Sequence, residues 1–257
     1  MAHSSPRPQS LPPLRHLLVV GGGGREQALA WALRRCPEVN EVWVTPGNGG
    51  TVDLQGCRSL GISELDAEGL IAHCRSTSID LVVIGPEAPL AAGVADRLRE
   101  AGVAVFGPGA DGAQLEASKA WAKQLMQEEG IPTAGHWAVS ERSEALALLD
   151  RLQRPLVVKA DGLAAGKGVT VAETLEATAA AIKEAFAGRF GSAGERLVLE
   201  ERLQGPEVSV FALCDGERMV LLPPAQDPQA SSRWGSRSEH RWHGRLCPGP
   251  SARCRRA

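Results

Sequence analysis

The chain has 257 residues, 43% apolar and 23% charged, the composition of a soluble globular protein with room for one large or two ordinary domains. A net charge of −2 argues against a dedicated nucleic-acid binder, and no apolar run approaches the roughly 18–20 residues needed to span a bilayer. That average hides an asymmetry: residues 228–257 hold seven Arg, no Lys and one acidic residue, which leaves 21 basic against 29 acidic side chains, a net of −8, in residues 1–227.

The opening MAHSSPRPQSLPPLR is rich in Pro and Ser and lacks an apolar core of a signal peptide. It reads as a disordered extension over residues 1–15, with an organellar transit segment as the alternative. Six cysteines are scattered without a CxxC pair, so reduced thiols in a cytoplasmic protein are expected.

Four short apolar runs follow, Leu17–Val20, Val42–Val44, Leu81–Ile84 and Val103–Phe106, each ending in a Gly/Pro loop. Helical patterns lie between them, for example Glu26–Arg35 with Ala28, Trp31 and Ala32 on one face. Strands that are continuously apolar and alternate with helices predict a parallel sheet covered on both sides, with ligands beyond the carboxyl ends of the strands. All four Gly/Pro loops fall at that edge. The first, Gly21–Gly24 followed by Arg25 and Glu26, fits a dinucleotide fingerprint only in part, because Glu26 stands where the third glycine belongs. The second strand ends in Thr45-Pro46-Gly47, with no acidic ribose ligand, which disfavours nicotinamide or flavin. A phosphate at this helix start remains physically reasonable, and Arg25 is either its charge partner or a solvated helix residue.

From Asp111 a helix is predicted to run to Gly130, where Gly130-Ile131-Pro132 supplies a helix stop. Ser140 opens another helix with a leucine face at Leu146, Leu148, Leu149 and Leu152. The stretch Val157–Val171, VVKADGLAAGKGVTV, reads as a strand, a glycine loop and a second strand. Lys159 and Lys167 flank a loop whose Gly162, Gly166 and Gly168 allow close backbone approach, a candidate phosphate cradle. The plain alternative is a flexible hairpin. A helix over Leu175–Ala187 and a strand over Arg196–Glu201 come next. Glu207–Ala212 alternates, placing Glu207 and Ser209 on one face, and a last strand covers Arg218–Leu222.

Taken together, Lys119, Lys159, the loop Asp161–Gly168 and EERLQGPEVSV from Glu200 resemble the ATP-grasp fold. The strings VVGGGGREQALAW, TPGNGGT, VVIGPEAPLAAGVAD, FGPGADGAQLEASKAWAK, VVKADGLAAGKGV and PPAQD resemble the glycinamide ribonucleotide synthetase (phosphoribosylamine–glycine ligase) family over roughly residues 17–227. The resemblance implies an α/β chain with a Rossmann-like parallel-sheet domain over 16–115 and an incomplete ATP-grasp domain of α+β type over 116–227. It implies an ATP-dependent ligase of purine synthesis that joins glycine to 5-phosphoribosylamine, with ATP between two subdomains and Mg²⁺ or Mn²⁺ as metal. A cytoplasmic monomer acting on small molecules, without nucleic-acid or membrane partners, is expected.

By the same resemblance, Lys159 and Lys167 are the catalytic lysines. Lys119, Lys159, Asp161, Gly162, Gly166, Lys167 and Gly168 face the phosphates. Glu200, Glu201 and Leu203 form the hinge that reads adenine, and Glu207 accepts from the ribose hydroxyls. Gly23, Gly24, Arg25, Glu26, Gly85, Pro86 and Glu87 face the phosphoribosylamine site. The chemistry suits these tasks: ammonium groups attract the roughly four charges of a triphosphate, and an ionised carboxylate is acceptor-only. The plain alternatives are a solvated helix lysine for Lys119, an exposed strand end for Glu200 and Glu201, and a simple βα turn for GPEAPL.

The quoted motifs stop at Asp227. The family pattern would continue with a PNTGGMGAYSP-like stretch and the Glu and Asn metal ligands, so no metal ligand is assigned. Zinc at His240, His243, Cys247 and Cys254, or a nucleic-acid patch of arginines, is disfavoured. One codon choice for EHRWHGRLCPGP, shifted by a nucleotide, reads NTGGMGAYAPAP, so residues 228–257 are expected to be an aberrant, frameshifted basic tail. A nucleotide-binding remnant without catalysis, or another ATP-grasp ligase, stands as the alternative function.

Overall fold

The structure is a computed structural model that describes residues 13–164 and 166–226. Residues 1–12 of the expected extension and the whole basic tail lie outside the described residues, as does Asp227. The expectation of disorder to residue 15 is corrected at Arg15, whose N–H donates to Asp80 Oδ2 at 2.7 Å and whose carbonyl accepts from the Asn40 N–H at 2.8 Å. The chain divides into two compact units, the first running to Pro132 and including Asp161–Leu163, the second formed by Thr133–Ala160 and the chain from Ala164 onward.

In the first unit, β1 (His16–Gly21), β2 (Glu41–Pro46), β3 (Cys57–Ser59), β4 (Leu81–Ile84) and β5 (Val105–Phe106) form a parallel sheet in the order β3-β2-β1-β4-β5. Alternation along β1 sends Leu18 and Val20 into a core with Leu70, Val82, Ile84 and Leu98, and Leu17 and Val19 into a second core with Ala30, Val42, Val44 and Val83. The helices over these faces are α1 (Gly24–Arg34), α2 (Gly49–Val52), α3 (Ala67–Thr77), α4 (Glu87–Ala91), α5 (Val94–Glu100) and α6 (Ala110–Ala117). Burial on both sides is why these strands read as unbroken apolar runs. Strand β3, Cys-Arg-Ser, has no such run and was not expected.

Two helix expectations are corrected. The buried side of α1 is Glu26 and Ala30, with Leu29 and Leu33 packed partly against the core. Ala28, Trp31 and Ala32 are exposed, and the Trp31 ring instead carries the Arg35 guanidinium 4.5 Å above it. The expected helix from Asp111 to Gly130 is two helices, α6 and α7 (Lys119–Glu128), broken at Ser118, whose backbone is extended at φ −133°.

In the second unit, β6 (His136–Val139), β7 (Leu156–Ala160), β8 (Val169–Val171) and β9 (Leu197–Glu201) form an antiparallel sheet in the order β6-β9-β7-β8. Helices α8 (Arg142–Leu152) and α9 (Leu175–Glu184) cover one face with a core of Leu148, Leu149, Val158, Ile182, Leu197 and Leu199. A separate ribbon joins β10 (Ala212–Cys214) to β11 (Met219–Leu221). The expected strand over Glu207–Ala212 is corrected here: it is not continuous, since Ser209 pairs as an isolated bridge to Ala225 and Ala212 instead begins β10 opposite Leu221. Side chains from Leu203 to Leu222 are exposed, so no core enforces the alternation seen in the sequence. Among the described residues no helix is long and apolar enough to cross a membrane.

Candidate functional site

In the first unit the strand order reverses about β1 and β4, and the loops after these two strands meet at the carboxyl edge of the sheet. Gly21 has φ +133°, and a Cβ there would lie 2.5 Å from the Glu26 side chain and 2.8 Å from Pro86. At Gly85 a Cβ would lie 2.1 Å from Glu26 Oε1. Both glycines therefore make room for one buried carboxylate, Glu26, only 3% exposed. Its Oε2 accepts from the Gly23 N–H at 2.8 Å and its Oε1 from Arg25 Nε at 3.0 Å. Arg25 reaches on to Glu87 Oε1 at 3.1 Å, which ties the first loop to the start of α4. Burial opposes the Arg25 charge, but the bonds to Glu87 and Glu26 outweigh it and raise the guanidinium above its ordinary pKa.

Asn48 joins the second loop to the first. Its Nδ2 donates to the Gly22 and Gly23 carbonyls at 3.1 and 3.2 Å, while its Oδ1 accepts from the Gly50 and Thr51 N–H groups at 2.8 and 3.1 Å. All four side-chain bonds of an amide are thus in use.

Lys119 is the first residue of α7. Its Nζ donates to the Gly162 carbonyl at 3.2 Å and to that of Asp161 at 3.5 Å. The Asp161 carboxylate accepts from the Ala120 N–H at 2.7 Å and from Ser118 Oγ at 3.1 Å.

In the second unit, β7 alternates Leu156, Val158 and Ala160 toward the helices with Val157 and Lys159 toward the other face. Register places Glu200 opposite Val157 and His136, and Val169 opposite Lys159, so these side chains share that face. Lys159 Nζ meets Glu200 Oε2 at 2.8 Å, with side chains 26% and 7% exposed. Glu201 points elsewhere, accepting from Arg154 and from the Gly135 N–H, bonds that hold its carboxyl below the usual range. The hairpin closes through Ala160 N–H to the Gly168 carbonyl at 2.7 Å, and a Cβ on Gly168 would lie 2.8 Å from the Ala164 Cβ. Gly166 has φ +76°, and Lys167 is exposed. Leu203 and Glu207 are exposed beyond the end of β9.

Two family models match: the N domain of phosphoribosylglycinamide synthetase over residues 15–116 and its ATP-grasp (A) domain over residues 117–232. The chain belongs to the phosphoribosylglycinamide synthetase family. The phosphoribosylamine–glycine ligase of a Nostoc species is 50% identical over 236 residues, 92% of this chain and 56% of the relative. That of Allochromatium vinosum is 47% identical over 215 residues, 83% of this chain and 50% of the relative. A crystal structure of phosphoribosylamine–glycine ligase from Thermotoga maritima matches with a TM-score of 0.65 at 29% identity, covering 82% of this chain and 50% of that one. The chain therefore spans about half the length of the curated relatives it matches. The A-domain match runs to residue 232, past Asp227, where the quoted motifs end.

Of the predicted residues, the first unit brings Gly23, Arg25, Glu26, Gly85, Pro86 and Glu87 into one corner, and Lys119 onto Asp161 and Gly162. The second unit pairs Lys159 with Glu200 but not with Glu201, which faces Arg154. Sequence reasoning missed Asn48 and Ser118. Asn at the head of NGGT and Ser before a helical run are both capping signals, and each could have been found on that ground. Among the described residues no group of three or more His, Cys, Asp or Glu side chains gathers to hold a metal ion. A groove of about 450 Å³ lined by Trp137, Val139, Glu144, Leu148 and Arg151 holds none of the predicted residues.

Proposed function

We propose that the chain binds ATP and takes part in joining glycine to 5-phosphoribosylamine, with ADP, phosphate and glycinamide ribonucleotide as products. One observation carries the reading: in a chain of this family, a strand lysine, Lys159, is held against a buried glutamate at the base of a glycine loop. The γ-phosphoryl of ATP passes to the glycine carboxylate, breaking the bond to the β-phosphate oxygen and releasing ADP. The amine of phosphoribosylamine then attacks that acyl phosphate, loses a proton and expels phosphate. Lys159 and Lys119 stabilise the triphosphate, since opposite unit charges at ~4 Å attract by about 4 kcal/mol at an effective dielectric near 20. Lys167 and the N–H groups around Gly162, Gly166 and Gly168 cover the transferring group and keep water from it. Glu200, Glu201 and Leu203 are assigned to the adenine side and Glu207 to the ribose. The corner of Gly23, Gly24, Arg25, Glu26, Gly85, Pro86 and Glu87 is assigned to phosphoribosylamine. Mg²⁺ or Mn²⁺ supplies charge neutralisation of the triphosphate when bound. A monomer acting in the cytoplasm completes the reading.

The test combines ATP binding by calorimetry with ADP release in the presence of glycine, phosphoribosylamine and Mg²⁺. ADP release that needs both co-substrates supports the ligase. Binding without ADP release identifies a nucleotide-binding chain that does not turn over. ADP release on exchanging glycine for another carboxylate identifies a different ATP-grasp ligase.

A further inference from the structure

The Asp161 side chain lies within a string assigned to the nucleotide phosphates, yet its bonding is internal. The first turn of α7 leaves N–H groups that need acceptors. Lys119 N–H donates to the Asp161 carbonyl at 3.2 Å, Ala120 N–H to Asp161 Oδ1 at 2.7 Å, and Trp121 N–H to Ser118 Oγ at 3.1 Å. Ser118 Oγ in turn lies 3.1 and 3.3 Å from the two Asp161 carboxylate oxygens. The start of α7 is therefore filled by this chain's own acceptors and has no donor left for a phosphate. An ionised carboxylate has acceptors only, so it makes no hydrogen bond to phosphate oxygens and repels their charge. At a helix N-terminus the same negative charge is favourable. The backbone of Asp161 and Gly162 meanwhile offers two carbonyls to the Lys119 ammonium. Although β7 ends in the second unit at Ala160, Asp161–Leu163 groups with the first.

We propose that Asp161 is a positioning residue for Lys119, acting through the start of α7 and not by touching the nucleotide; this rests on the ATP-binding reading above. The break between α6 and α7 is part of the device, because only an extended Ser118 can cap α7 and meet Asp161 at once. Removing the carboxylate frees the first turn and lets the Lys119 ammonium leave the root of the glycine loop.

The test uses the full 257-residue chain with Asp161→Ala, Asp161→Asn, Lys119→Ala and the double variant. Amide exchange of the peptide spanning residues 118–121 and acylation of Lys119 Nζ, both read by mass spectrometry, need no nucleotide. ATP affinity is read by calorimetry. For Asp161→Ala the expected result is about fivefold faster exchange, the size of one lost helix cap, faster acylation of Lys119, and about fivefold weaker ATP binding. Asp161→Asn keeps a neutral acceptor and restores most of both, and it serves the same comparison where the alanine variant does not fold. In the Lys119→Ala background, loss of Asp161 leaves ATP affinity unchanged. Additive losses, or unaltered exchange and acylation at residues 118–121, overturn the proposal. Altered exchange and acylation in a chain that binds no ATP overturn the ATP reading while the anchoring of Lys119 stands.

Discussion

Glu200→Gln tests the electrostatics of the hairpin most directly, because glutamine keeps the shape and one acceptor while removing the charge. Exposed ion pairs contribute about 0–1 kcal/mol, whereas removing one partner of a buried pair costs about 3–5 kcal/mol. The Lys159–Glu200 pair lies between these limits, its 2.8 Å contact joining a 7% exposed carboxylate to a 26% exposed lysine. A loss of about 2 kcal/mol follows, since water reaches the lysine but hardly the glutamate. For a folding unit of roughly 90 residues, each kcal/mol moves the midpoint by about 4–8 °C, so the second unit should melt about 8–16 °C lower. The assay is thermal unfolding of Glu200→Gln, Lys159→Met and the double variant at one pH and ionic strength. The double-mutant cycle separates this pair from whatever else Glu200 contacts. Coupling of at least about 1 kcal/mol, little altered by 0.5 M salt, is expected of a pair shielded from solvent. Coupling below about 0.3 kcal/mol, or its loss in salt, would refute the reasoning and make the contact an ordinary surface pair.

Gly85→Ala places a methyl 2.1 Å from Glu26 Oε1, so the buried carboxylate must leave Gly23 or Arg25. A loss of about 1–3 kcal/mol by denaturant titration is expected, against almost none for Gly24→Ser, where a Cβ meets nothing within 4 Å. Glu201, held below its ordinary value by Arg154 and the Gly135 N–H, contributes stability above the unfolded pKa near 4.5 and loses it as pH falls through its lower folded value. Acid titrations followed by circular dichroism should show a shallower decline below that pH in Glu201→Gln; an unchanged acid limb would count against the assignment.

Much of the first unit is legible because its physics is local. A parallel strand buried on both faces must be apolar throughout, and Leu17–Val20, Val42–Val44 and Leu81–Ile84 say so without reference to any other residue. The misreadings share a different origin. Trp31 looks like a core residue by type, but the buried positions of that helix are Ala30 and Glu26, the latter in room left by Gly21 and Gly85. The segment from Asp111 to Gly130 has a helical pattern on both sides of Ser118; the serine is a local capping signal, but its bond to an aspartate 43 residues away is not. No local propensity encodes that bond. The same distinction runs through the candidate site. Lys159 was identifiable as a lone charge in an apolar strand, while the identity of its partner depended on register, since moving the β7–β9 pairing by one residue would bring Glu201 to the Lys159 face in place of Glu200. Residue type therefore announces which groups are able to do chemistry, and pairing decides which of them meet. Asp161 shows the consequence most sharply: it lies in a glycine-loop string, and its carboxylate accepts the Ala120 N–H and the Ser118 hydroxyl, two partners that only the folded chain brings to it.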